Sequence, residues 1–240
     1  TGNSGARVRE EVRPSDQLTL VAGWSVETTK LHGVSTNYSY AGSTTGKPTG
    51  ISYVTADRDF DNMAGEGGFA YKPSSAWLLR GRVATGYGTP QFSNLFVTPA
   101  GVAGNNTNLQ SQTNLGYDVG FDFTPLKAFK LSVTGFYEFF ENELVSQSAG
   151  AGLQSFTFNA PKSEHRGVEA AADWRFWRGW RAVVAYTYLD EVYTDYRERL
   201  SAGAKSALID RAGNKIPGIS PSELLARLGY DQQWGPLKGL

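Results

Sequence analysis

Hydrophobic and polar residues alternate one by one along much of this chain. Between Asn114 and Phe123 (NLGYDVGFDF) the odd positions hold Leu115, Tyr117, Val119, Phe121 and Phe123, and the even ones Asn114, Gly116, Asp118, Gly120 and Asp122. Successive side chains of a strand point to opposite faces, so this period predicts a strand with one apolar face and one small or anionic face. The same reading predicts nine strands, at 6–12, 17–27, 63–71, 76–87, 112–123, 129–145, 154–176, 180–193 and 222–234. Many exceed the five or six residues usual in globular strands. The period alone does not say which face is inside: a soluble sandwich buries the apolar row, whereas a membrane barrel turns it to lipid.

The connections narrow the choice. Short turns at RPSD, KPSS, TPLKA and WRG alternate with long polar links at 28–62, 88–111 and 189–221 and a shorter one at 146–153. A meander whose every second loop is long has two unlike ends, as outer-membrane barrels do. Trp174, Trp177 and Trp180 cluster about the WRG turn, where such a barrel carries an aromatic girdle. Rows opposite the apolar ones carry Lys130, Ser132, Thr134, Glu138, Glu169, Asp173, Arg175 and Arg181, which suits a wet or filled lumen.

Composition agrees with strands and turns: 28 glycines, 13% aromatic and only 19% charged residues. Lysine plus arginine equals aspartate plus glutamate at 23 each, so no basic footprint points to nucleic acid. Cysteine is absent, which removes disulfides, thiolate metal sites and cysteine nucleophiles from this segment. No apolar run reaches 18 residues, which excludes a transmembrane helix and leaves a transmembrane barrel open.

Several phrases resemble the barrel of TonB-dependent outer-membrane receptors. RVATGYGTPQFSNLF (82–96) is similar to that family's strand with a Gly-aromatic-x-x-Pro step, and NLQSQTNLGYDVGFDF to its Asn-x-x-Leu strand, with Gln112 where Glu is usual. VTGFYEFFENELV, NAPKSEHRGVEAAADWRFWRGWRAVVAYTYLDEVY and GNKIPGISPSELLARLGYD follow in the family's order. The resemblance implies an all-β antiparallel meander forming part of a 22-strand transmembrane barrel, with residues 1–240 a partial barrel domain lacking the plug and the final strands. It implies active uptake of a scarce ligand, most often a ferric siderophore, in a bacterial outer membrane. The implied partners are that ligand, outer-membrane lipid, and TonB through a plug outside this segment. A passive porin or a soluble β-sandwich binding module is the alternative.

No cofactor and no enzymatic chemistry are expected. DRDFDN (57–62) has alternate acids, but Asn62 and Gly68 stand where a calcium loop wants Gly and Glu. A Ser163, His165 and Glu164 hydrolase is disfavoured because adjacent strand residues face opposite ways. Matched onto the family's extracellular loops, the expected ligand contacts are Tyr87, Phe92 and Phe96 in the Pro-containing loop and Tyr38, Tyr40 and Tyr53 in the longest one. Their rings suit stacking on an iron chelate; the plainer role is to stiffen the loops.

Overall fold

The computed structural model describes residues 1–40, 47–150, 152–202, 205–232 and 234–235, with side chains for all of these except 199–202 and 205–206. Nine strands form one antiparallel meander: β1 (Gly2–Ser15), β2 (Leu18–Ser39), β3 (Gly50–Ser74), β4 (Trp77–Gly88), β5 (Gln112–Leu126), β6 (Phe129–Ser148), β7 (Ser155–Arg175), β8 (Trp180–Asp195) and β11 (Ser222–Tyr230), the last reached after a separate hairpin of β9 (Arg197–Ala202) and β10 (Lys205–Asp210). Each predicted strand has its counterpart. β1 and β11 are the two edges of the sheet.

The link at 28–62 expected as a loop is mostly strand. β2 and β3 stay in unbroken register from Leu18↔Tyr71 to Ser39↔Gly50. β1 leaves β2 at Lys30 and β4 leaves β3 at Glu66, so the remainder is a two-stranded ribbon projecting roughly 30 Å at the usual rise per residue. Both of its faces carry polar residues, so the apolar alternation that marks the other strands fades while Thr, Val and Tyr keep the β preference. The 189–221 link likewise contains β9 and β10.

The short turns use local chemistry. At WRG, Arg178 (φ 39°) and Gly179 (φ 93°) both adopt the left-handed region, which matches the twist of a two-residue hairpin. At the far end of the β6–β7 pair, Asn142 (φ 56°) stands where Pro161 has no N–H to offer. The ladder passes from Glu141↔Lys162 to Glu143↔Ala160, and the Asn159 amide caps the Asn142 carbonyl at 2.7 Å.

The register carries one apolar row across the sheet. Phe69, Gly81, Val119, Gly135, Val168 and Tyr188 are successive cross-strand neighbours on one face, with Leu79, Phe121, Val133 and Ala170 beside them. No helix or second sheet covers that face among the described residues: Trp24 is 50% and Val119 66% exposed. Toward the short turns it ends in rings, with Trp77 4.4 Å from Phe123, Trp174 5.0 Å from Phe176 and Trp180 5.1 Å from Tyr230 between centroids. The opposite face carries the ionic groups described below.

Candidate functional site

The long-loop end is where the chain builds buried structure. A strap between β4 and β5 begins with a 3-10 turn, Phe92–Phe96, and folds over the polar-face side of the β2–β3 ribbon. Leu95 and Leu109 of the strap bury with Leu31, Ala56 and Phe60 of the ribbon, and Leu144 of β6 packs on the same cluster. Leu31 and Phe60 lie on the face opposite the exposed Trp24 row, so the strap marks that face as the inside.

Polar groups fix the strap at both ends of its span. The Arg58 guanidinium donates to the carbonyls of Thr107 and Leu109, the latter at 3.1 Å, and stands 5.2 Å over the Phe60 ring. Asn105 donates to the Thr55 carbonyl at 2.9 Å. On the other side Asn94 and Asn106 reach the Thr157 hydroxyl and carbonyl at 2.9 and 2.8 Å, while Asn159 and Gln110 exchange two bonds of 2.9 Å. An otherwise marginal two-stranded ribbon is thereby tied to the β6–β7 hairpin.

A second cluster lies on the other face of that hairpin. Ala160, Tyr193 and Tyr196 are buried there with Val145, Phe158 and Ile216 around them. Backbone bonds from Tyr193 to Asn214, from Gly213 to Tyr193 and from Ile216 to Glu191, at 3.0, 2.7 and 3.0 Å, hold the GNKIP segment against β8. Burial, reinforced by the Glu198 carboxylate, raises the Tyr196 phenol above its ordinary value, so it stays a neutral donor. The Arg211 guanidinium answers Glu198 at 2.6 Å.

Below the strap the inner face is an ion-pair ladder. Arg7 and Arg9 lie 3.1 and 3.4 Å from Glu66; Arg80 reaches Asp122 at 2.6 Å and also donates to Thr134; Lys130 lies 3.4 Å from Asp122 and Arg82 4.0 Å from Asp118. Nearer the strap the face turns acidic. Ser163 donates to Glu143 at 2.7 Å and sits 3.1 Å from His165 Nε2, while His165 Nδ1 is 3.7 Å from Glu191. Glu138, across the ladder from His165, has neither an ion pair nor a hydrogen bond among the described residues.

The expected contacts fall into separate environments. Phe92 and Phe96 pack edge to face at 4.7 Å and flank the strap core, with Phe92 over Gly33, where any Cβ would meet its ring. Tyr38 and Tyr53 lie on the ribbon face continuous with the exposed apolar row, Tyr53 being 68% exposed, and Tyr40 follows the end of β2. Tyr87 stands beside Glu27 near the end of β4. The six do not converge on one pocket. Sequence reading missed Arg58, because its two carbonyl partners lie some fifty positions away.

The other motifs resolve into structure. Asp57, Asp59 and Asp61 belong to β3 and meet His32 at 2.6 Å, Lys30 at 3.9 Å and the Thr28 hydroxyl at 2.7 Å. Ser163 and His165 do share a face, two apart, and the acid beside them is Glu191 from β8, whereas Glu164 points the other way and accepts from Tyr137. At 1% exposure, with its proton on Glu143, Ser163 has no room for a substrate acyl group.

No curated protein sequence matches the chain. Its fold is that of solved outer-membrane receptors at low identity. The ferric-catecholate import receptor Fiu of E. coli K12 has TM-score 0.67 and 15% identity, over 95% of this chain and 32% of that one. The siderophore receptor PiuA of Acinetobacter baumannii has TM-score 0.67 and 16% identity, over 95% and 31%. The ferric yersiniabactin uptake receptor FyuA of Yersinia pestis has TM-score 0.62 and 17% identity, over 95% and 31%. The chain thus spans about a third of the length of these receptors. The family model described as "TonB dependent receptor-like, beta-barrel" matches residues 1–240, so with its unbroken meander, bare apolar face and ion-paired inner face the chain belongs to the TonB-dependent receptor β-barrel family.

Proposed function

We propose that this chain forms part of the barrel wall of a bacterial outer-membrane receptor that takes up a scarce small ligand with energy from TonB, and that the ligand is a ferric siderophore. The observation that carries the reading is the division between the faces. An uncovered apolar row ending in aromatic rings suits acyl chains and a headgroup boundary, and a ladder of ion pairs suits a filled, polar lumen. Residues 1–240 are then a piece of the barrel domain, the plug that contacts TonB lies outside them, and neither nucleic acid nor bond-making chemistry enters.

Within this reading Tyr38, Tyr40, Tyr53 and Tyr87 remain proposed ligand contacts, available on approach from outside. Phe92 and Phe96 contribute by setting the strap, whose exposed side chains then meet the ligand. Deletion of the gene in an iron-limited host, with ferric chelates supplied one at a time, tests the proposal. Growth rescued by at least one chelate, only with both the gene and TonB present, is expected. Rescue that persists without TonB would indicate a passive pore instead.

A further inference from the structure

The apolar face is not flat. It holds an open groove of about 840 Å³, walled by Leu20, Phe69, Val83, Tyr117 and Tyr137, with Gly67 and Gly135 in its floor. The cross-strand line Leu20, Phe69, Gly81, Val119, Gly135, Val168 runs along it from β2 to β7, roughly 24 Å at the usual strand spacing. That line climbs. Leu20 stands two residues from the short-turn end of β2, and Val168 seven from that of β7. The difference is roughly 16 Å along a strand, or about 13 Å of height at the ordinary tilt of about 40°. One leaflet of a hydrocarbon core about 30 Å thick is about 15 Å deep.

At its upper end, nearer the long connections, the groove meets charge. Tyr137 lies across the ladder from Arg166, and Arg166 across from Asp190. Arg166 pairs with Asp190 at 2.7 Å, the exposed Lys215 ammonium stands 3.5 Å from the same carboxylate, and the Tyr137 hydroxyl donates to Glu164. The groove's floor is empty for no reason of the chain's own. A Cβ at Gly135 would have the Gly167 carbonyl oxygen as its nearest neighbour, 4.0 Å away, and one at Gly67 would have Val83 at 3.9 Å. Neither glycine has a positive φ. Glycine inside a strand weakens it, and where the sheet's packing does not demand it, it leaves room for something to approach closely.

We infer that the groove is a lipid site: one acyl chain of an outer-leaflet lipid lies in it from Tyr137 down to Leu20, with the lipid's polar head beside Arg166 and Lys215. The inference rests on the outer-membrane barrel reading above. A lipid is apolar along its chain and polar at one end, the same order as the groove. Inside a bilayer every competitor is apolar too, so selective association comes from close packing and polar contacts rather than from the hydrophobic effect. The groove offers packing for the chain, and Arg166 and Lys215, which carry only donors, suit the phosphate and carbonyl oxygens of a head.

The test uses the full-length receptor, inserted into vesicles of mixed phosphatidylethanolamine and phosphatidylglycerol and then extracted into mild detergent, with native mass spectrometry counting the lipids carried through. The unmodified receptor is expected to keep one lipid. Gly135→Leu, which fills the floor, should lower the retained fraction at least about tenfold, and Lys215→Gln about threefold through the head alone. Val184→Leu, on the same face but outside the groove, should keep it. In the vesicles, a lipid spin-labelled on its chain gives a readout that needs no variant: one slowly exchanging lipid per receptor is expected beyond the mobile shell. An unmodified receptor with no retained lipid and no slow component, or a Gly135→Leu receptor that retains lipid as well as the parent, overturns the inference and leaves the barrel standing. So does a receptor pair that Gly135→Leu splits into single copies, which would give the groove to a second copy. A receptor that does not insert at all removes the membrane reading itself, and this inference with it.

Discussion

Val119 is the sharpest place to ask which way the sheet faces. It is 66% exposed, and its cross-strand neighbours on both sides are glycines, Gly81 and Gly135, so no adjacent side chain offers a polar atom. Along β5 the same face continues as Tyr117 and Leu115 before reaching Thr113, roughly 20 Å away at the rise of a strand. An arginine at 119 cannot span that distance, so if the row meets hydrocarbon its charge sits near the middle of the bilayer. The expected destabilisation of Val119→Arg is about 2–4 kcal/mol. Val119→Leu keeps the surface apolar and should stay within about 1 kcal/mol of the parent. Asp118→Asn, one residue along and on the inner face, removes only a 4.0 Å pair with exposed Arg82 and should change little, about 0–1 kcal/mol. Denaturant unfolding of the full-length receptor in lipid vesicles, followed by tryptophan fluorescence and by heat-modifiable gel migration, separates the three. If Val119→Arg is as stable as Val119→Leu, the row does not face lipid and the proposed function loses its foundation.

Arg58→Ala removes two charge-assisted bonds and a cation–π contact, and should loosen the strap by about 2–4 kcal/mol; amide exchange over 92–109 should accelerate while β5 to β8 stay protected. Unchanged exchange in that window would mean that the strap is held by Leu95 and Leu109 alone. Gly33→Val forces the Phe92 ring aside and should free the same segment, by about 1–3 kcal/mol, which the same exchange measurement reads. Ser163→Val leaves a Glu143 oxygen without its donor inside a buried site and should lower stability by about 1–3 kcal/mol, with Ser163→Thr recovering part of the loss in denaturant titrations.

How much of this was legible in the sequence differs between the two ends of the sheet. Strands with one apolar face, such as β5 with Leu115 to Phe123, announce themselves because burial in any apolar medium imposes period two. The ribbon of β2 and β3 beyond Lys30 does not, since neither face is uniformly apolar and its order comes from a strap nearly forty residues further on. β9 and β10 were equally hidden, lying in a polar stretch, RERLSA and KSALID, whose alternation is weak. Ring residues picked out as ligand contacts were separated only by coordinates. Phe92 and Tyr53 look alike in sequence, yet one packs over Gly33 and the other stands in the open.

The strap gives part of this end's aromatic content a structural role. The strap is held in place by rings and one arginine: Phe92 and Phe96 pack on its buried cluster, and Arg58 donates to its carbonyls. The exposed side chains of the strap include the amides and hydroxyls of Gln91, Ser93, Asn105, Thr107, Asn108 and Gln110. Their neutrality sets them apart from the inner face beneath, where Arg80, Lys130 and Asp122 form a close ionic cluster. Ion pairs link β1 to β3, β4 to β5 and β5 to β6 across the inner face, whereas the strap is held by buried apolar side chains, amides and Arg58.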